Sequence, residues 1–179
     1  MGRGDKDREV RVLTEGGRRE DEKKKILFVC TANICRSPMA EAMFNALAED
    51  KGLAFRAESA GVRALVDEEI APDARAALEE TGIYSEGHRA RQVSEKMLEE
   101  AELVLVMGPR HVATLQGRFK DLQQGKVYAL PEYALGASAE EGIPDPYGYT
   151  MTAYRASVRQ LLECVGGVVK RLEREGVSR

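Results

Sequence analysis

Ile26-Leu27-Phe28-Val29-Cys30-Thr31-Ala32-Asn33-Ile34-Cys35-Arg36-Ser37-Pro38 is the stretch on which the fold of this chain turns. Its first four residues are a short apolar run, which reads as a buried strand. After Pro38 the residues Met39, Ala42, Met43, Ala46 and Leu47 recur at helical spacing, predicting a helix to about Asp50 with Gly52 as its stop. Cys30 to Ser37 therefore connect a strand to a helix, with Ser37 placed to cap the helix and Pro38 suited to its first turn. The backbone N–H groups of such a connection converge beside the positive end of the helix dipole and make an anion site. This one also carries a thiol at its start and a guanidinium near its end.

Those groups together suit phosphoryl transfer to sulfur. A thiol attacks as thiolate, a form favoured at helix N-termini and beside cations. Arg36 offers a planar fork that grips two phosphate oxygens while the loop amides hold the rest. Preorganised donors then stabilise the charge that spreads over the equatorial oxygens as sulfur meets phosphorus. A Ser37 hydroxyl bond to the Cys30 sulfur would ease its departure in a second step. The plainer alternative is a buried strand-end cysteine and an unrelated surface arginine.

Outward from this stretch, strands and helices alternate. Leu53 to Ala60 reads as a second strand closed by Gly61. A helix begins at Pro72 or Asp73 and runs to about Thr81 before Gly82, and Ser94 caps a short helix through Glu100. The continuous apolar run Leu103-Val104-Leu105-Val106-Met107 predicts a central parallel strand. A helix over about 109 to 117, a last strand from Lys126 to Leu130 and a long irregular segment over 131 to 149 follow. Met151, Tyr154, Val158, Leu161, Val165, Val168 and Leu172 form one apolar stripe on a final helix to about Glu175. The pattern is an α/β domain with a parallel sheet covered on both faces, whose ligands bind beyond the carboxyl ends of the strands.

At 179 residues the chain fits one domain. Residues 1–24 are dense in both charge signs and poor in apolar residues, which predicts a disordered extension ahead of a domain over 25–179. A net charge of -3 gives no reason to expect nucleic acid or an acidic membrane surface as partner. No run approaches the roughly 18 apolar residues of a membrane span, and no apolar signal core opens the chain. Three cysteines make no disulfide framework, and a nucleophilic thiol suits the reducing cytoplasm. No metal-ligand spacing occurs, so no cofactor is expected.

The run from Val29 to Glu41 resembles the signature of the low-molecular-weight protein tyrosine phosphatases, and the similarity continues through Ser59-Ala60-Gly61, His88-Arg89-Ala90-Arg91-Gln92 and Asp145-Pro146-Tyr147. It is similar to the bacterial branch, which includes protein-arginine phosphatases. The resemblance implies a flavodoxin-like single domain with four parallel strands in the order 2-1-3-4. It implies Cys30 as nucleophile, Arg36 as phosphate ligand and Asp145 as general acid and then base. The loop residues Thr31, Ala32, Asn33, Ile34, Cys35 and Ser37 would bind phosphate. Asn33, Ser37, Ser59 and His88 would form a supporting network. The partner is then a phosphorylated protein, with inorganic phosphate as product and inhibitor.

Read on their own, His88 is a surface histidine and Asp145, between Pro144 and Pro146, a turn former. The resemblance implies that Ile34 points out of the loop and favours phosphotyrosine over phosphoarginine, and Tyr147 could form a wall for an aromatic ring. Ala32 stands where the family's loop usually has glycine, which would strain the loop by about 1 kcal/mol if that position needs positive φ. Cys35 is near enough in the loop to form a protective disulfide with Cys30, or is a small apolar filler. Cys164 reads as core and leaves the arsenate reductases of this fold without their further cysteine pair. An inactive phosphopeptide-binding module is the remaining rival.

Overall fold

The computed structural model describes residues 19–123, 125–136 and 142–177. Most of the expected extension lies outside these. Of its last residues, Glu20–Glu22 form a 3-10 turn and Lys24 already opens a strand. Four parallel strands follow: β1 (Lys24–Cys30), β2 (Phe55–Gly61), β3 (Ala101–Val106) and β4 (Val127–Ala129), in the order β2-β1-β3-β4. The helices are α1 (Arg36–Asp50), α2 (Pro72–Glu79), α3 (Glu95–Glu100), α4 (Pro109–Arg118), α5 (Leu130–Leu135) and α6 (Met151–Val177).

Side-chain alternation along β1 explains why both faces are covered. Ile26, Phe28 and Cys30 face a core shared with Met39, Met43 and Phe44 of α1, Leu78 of α2 and the α6 stripe Tyr154, Val158, Leu161, Val165, Val168 and Leu172. Leu27 and Val29 face a second core with Val104 and Val106 of β3, Leu98 of α3 and Leu115 of α4. A strand buried on both sides cannot slip by one residue without exchanging its two faces, so the end of β1 is fixed in space. Cys30 is that end, paired in register with Gly61. The chain packs tightly there: a Cβ on Gly61 would collide with the Thr31 carbonyl.

The start of α1 and the segment after β4 differ from the sequence reading for local reasons. α1 begins at Arg36 with Cys35 at its N-cap and no side-chain cap, so Ser37 is the second helical residue and its hydroxyl is free for other work. The segment over 131 to 149 is not irregular throughout. Leu130 leaves the sheet and Pro131, whose fixed φ suits a first turn, starts α5, which ends at Gly136 in the left-handed region with φ 66°. Ser94 caps α3 as expected, accepting from Met97 N–H at 3.3 Å.

Candidate active site

The connection from β1 to α1 is held by its carbonyls. Those of Cys30, Thr31 and Ala32 accept the N–H groups of Val62, Arg63 and Leu65 at 3.0, 2.9 and 3.1 Å. His88 Nε2 lies 2.7 Å from the Asn33 carbonyl. The Ile34 and Cys35 carbonyls accept from Ala71 and Met39 at 2.8 and 3.1 Å. The carbonyls of 30 to 34 are thus tied to the surrounding shell, and that of 35 opens the hydrogen bonding of α1. No described peptide bond is cis, and a trans peptide points its N–H opposite its carbonyl. The amides of residues 31 to 36 are thereby turned to the inside of the loop, the arrangement that binds an anion.

The left-handed residue that lets the chain curl is Asn33, with φ 61°, and not Ala32. The strain expected at Ala32 therefore does not arise, and Asn bears that conformation better than most residues. Asn33 is fully buried. Its Nδ2 donates to Ser37 Oγ and Ser59 Oγ at 2.8 and 3.0 Å, and its Oδ1 accepts Arg91 N–H at 3.0 Å. Ser59 Oγ in turn donates to Glu41 Oε2. Burial raises the Glu41 carboxyl above its ordinary range, with the Ser59 bond opposing. The expected quartet of Asn33, Ser37, Ser59 and His88 is brought together, with His88 reaching the Asn33 backbone and Glu41 added.

This network delivers one hydroxyl to the sulfur: Ser37 Oγ lies 2.9 Å from Cys30 Sγ. Cys30 is buried. Cys35, the second thiol of the loop, has other surroundings. Its sulfur is 3.8 Å from Tyr154 Oη, and burial pushes its thiol up to about 12. Cys35 is therefore protonated at neutral pH and does not compete as a nucleophile. All three cysteines are free, and Cys164 is buried on α6.

Arg36 is 6% exposed. Its Nη1 donates to the Ile143 carbonyl at 2.9 Å and its Nη2 lies 3.5 Å from Asp145 Oδ2. The segment bearing Asp145 is docked on the end of β3, where Ile143 N–H donates to the Met107 carbonyl at 2.7 Å. Gly142, with φ 69°, permits that approach, since a Cβ there would collide with the same carbonyl. Asp145 Oδ1 accepts Tyr147 N–H at 3.1 Å, so the carboxylate forms a turn as well as facing the arginine. Asp145 remains half exposed.

Of the two expected rim residues, Ile34 sits differently. Ile34 is 6% exposed and belongs to the buried cluster that holds Ile70 and Ala71, because its apolar side chain finds the core beneath the loop. It does not project from the loop. Tyr147 is exposed beyond Asp145.

Thr31, Arg36 and Asp145 line a cleft of about 800 Å³ between the ends of β2 and α4. His111 of α4 lies in it, its Nε2 3.0 Å from Thr31 Oγ1. Burial first, then the positive charge of Arg36, push His111 down to about 4. It is neutral at pH 7, and its buried Nδ1 has no hydrogen-bond partner among the described residues. Sequence reading passed over His111, although it follows β3 at the carboxyl end of the sheet. Among the described residues no group of three or more His, Cys, Asp or Glu could hold a metal ion, and no described helix is long and apolar enough to cross a membrane.

The chain matches the family described as low molecular weight phosphotyrosine protein phosphatase over residues 25–178. A protein-arginine-phosphatase of Bacillus subtilis is 37% identical over 153 residues, covering 84% of this chain and 97% of that one. The low molecular weight protein-tyrosine-phosphatase Wzb of Escherichia coli K12 is 36% identical over 138 residues, covering 77% and 87%. Among solved structures, the YwlE arginine phosphatase from Geobacillus stearothermophilus superposes with a TM-score of 0.78 at 32% identity, covering 87% of this chain and 97% of that one. A low molecular weight protein tyrosine phosphatase from T. tengcongensis gives 0.78 at 33% identity, covering 83% and 99%. With its strand order, its carbonyl-tethered loop and these relatives all in agreement, the chain belongs to the low-molecular-weight protein tyrosine phosphatase family.

Proposed function

We propose that this chain hydrolyses phosphotyrosine in proteins through a cysteinyl-phosphate intermediate. The observation that carries the reading is the hydrogen bonding of every carbonyl from Cys30 to Cys35, which leaves the amides of 31 to 36 and the Arg36 guanidinium for three phosphate oxygens. Cys30 sulfur attacks phosphorus as the ester oxygen leaves. Asp145 gives that oxygen its proton. The same carboxylate then takes a proton from water as water attacks phosphorus, and sulfur departs with the Ser37 hydroxyl bound to it. Inorganic phosphate leaves and, occupying the same donors, inhibits. The chemistry needs a reduced thiol, which suits the cytoplasm. A reversible disulfide between Cys30 and Cys35 would guard that thiol against further oxidation.

Phosphoarginine is the second reading. Relatives in Bacillus subtilis and Geobacillus stearothermophilus bear that activity in their names, and the burial of Ile34 weakens its claim as a selector on the rim. Phosphotyrosyl and phosphoarginyl peptides of one sequence separate the two, assayed on the wild-type chain and on Ile34→Thr. Preference of the wild-type chain for phosphotyrosine is the expected result, and an unchanged preference in Ile34→Thr would remove Ile34 as a selector. Faster hydrolysis of phosphoarginine by the wild-type chain would overturn the substrate assignment. A Cys30→Ser variant as active as wild type would overturn the mechanism.

A further inference from the structure

The cleft beside the phosphate loop holds much more than a phosphoryl group, and its charge is one-sided. Arg36, Arg63, Arg110 and Arg118 line it, against Asp145 as the only carboxylate among the described residues. The chain as a whole carries a net charge of -3. Elsewhere arginines are matched by glutamates, as in Arg91 with Glu58, Arg89 with Glu69 and Arg155 with Glu80. Arg63 and Arg110 have exposed side chains with no hydrogen bond or ion pair to any described residue. Arg118 gives Nη1 to the Val62 carbonyl and meets no carboxylate among the described residues.

The backbone places these cations on two sides of Thr31. Arg63 N–H donates to the Thr31 carbonyl at 2.9 Å. Arg110 directly precedes His111, whose ring meets the Thr31 hydroxyl at 3.0 Å. A phosphorylated side chain seated in the loop would leave its neighbours in an extended peptide, about 3.3 Å apart, lying along this cleft.

We propose that the cleft selects phosphorylated segments with Asp or Glu close to the phosphorylated residue, Arg63 and Arg110 pairing with those carboxylates. This rests on the phosphatase reading above. Unpaired cations on the rim of a cleft raise the encounter rate and affinity of acidic ligands, an effect that added salt screens.

Three substrates test it: p-nitrophenyl phosphate, a phosphotyrosyl peptide with flanking Asp and Glu, and the same peptide with Asn and Gln in their place. At low ionic strength the wild-type chain should favour the acidic peptide by about fivefold to tenfold in kcat/KM, mostly through KM. In an Arg63→Gln, Arg110→Gln double variant, the ratio should fall to about twofold or less while p-nitrophenyl phosphate turnover stays within about twofold of wild type. Should the double variant not fold, each single variant should lower the ratio. Equal kcat/KM for the two peptides on the wild-type chain, or a preference that survives loss of both arginines, would overturn the proposal. Failure to hydrolyse any of the three would instead count against the phosphatase reading. Fluorescence anisotropy of both peptides on Cys30→Ser would still decide the flank preference.

Discussion

The phosphate loop has two unlike sides. Toward β2, Asn33, Ser37, Ser59, Glu41 and His88 form a continuous hydrogen-bonded framework around a fully buried amide. Toward α4 and the segment after Ile143, the groups are half exposed or only partly partnered: Asp145, the Nδ1 of His111 and the cations of the cleft. A satisfied buried network rigidifies, whereas open groups are available to bind and exchange protons. The difference teaches that one side is built to hold the loop in shape, while the other keeps groups open for the proposed chemistry. Substitutions on the first should cost stability and activity together, and on the second activity alone.

The largest effect is expected on the open side. Asp145→Asn removes the proposed proton donor and should lower kcat for an ester with a poor leaving group by about 10² to 10⁴. Its unfolding free energy should stay within about 1 kcal/mol of wild type, since the Arg36 contact is half exposed. Paired steady-state kinetics and chemical denaturation check both halves. On the framework side, Asn33→Ala should lower stability by about 2–4 kcal/mol, because it strands the Arg91 amide and places alanine at φ 61°. Activity should fall with it, and a stable Asn33→Ala protein of normal activity would dissolve the distinction between the sides.

His111 sharpens the comparison through pH. Its folded value is lowered from 6.5 to about 4, so the unfolded chain binds the extra proton between those values. The associated stability is present above about pH 6.5 and is lost as pH falls toward 4, a change of about 3 kcal/mol. Urea unfolding across that window should show this slope in wild type and a shallower one in His111→Gln. The smallest effect is expected at Glu41. Its carboxyl is raised, so its contribution is present at low pH and fades as pH rises above 4.5. Wild type should therefore gain on Glu41→Gln as pH is lowered from 7 to 4, in the opposite sense to His111.

What the sequence made legible was whatever depends on order along the chain. The apolar run at Ile26, the loop to Ser37 and the alternation of elements set the sheet and put Cys30 at a strand end. Asn33 as loop shaper followed from its tolerance of left-handed backbone. What stayed hidden depends on which way side chains turn. Ser37 suits a cap by type, yet its hydroxyl meets the Cys30 sulfur and accepts from Asn33 because the helix starts two residues sooner, at Arg36. Ile34 turns into the core. His111, the Ile143 carbonyl that holds Arg36, and the cations Arg63 and Arg110 come from segments remote in sequence, and only the folded sheet brings them to Thr31.

The central claim is that the Cys30 sulfur, and no other group, carries the phosphoryl group. A single-turnover reaction of the Asp145→Asn chain with an aryl phosphate, quenched in acid and mapped by mass spectrometry, tests it directly. Phosphate should appear on the peptide containing Cys30 and vanish in Cys30→Ser. Phosphate on another residue, or hydrolysis with no covalent enzyme species at any time, would contradict the account.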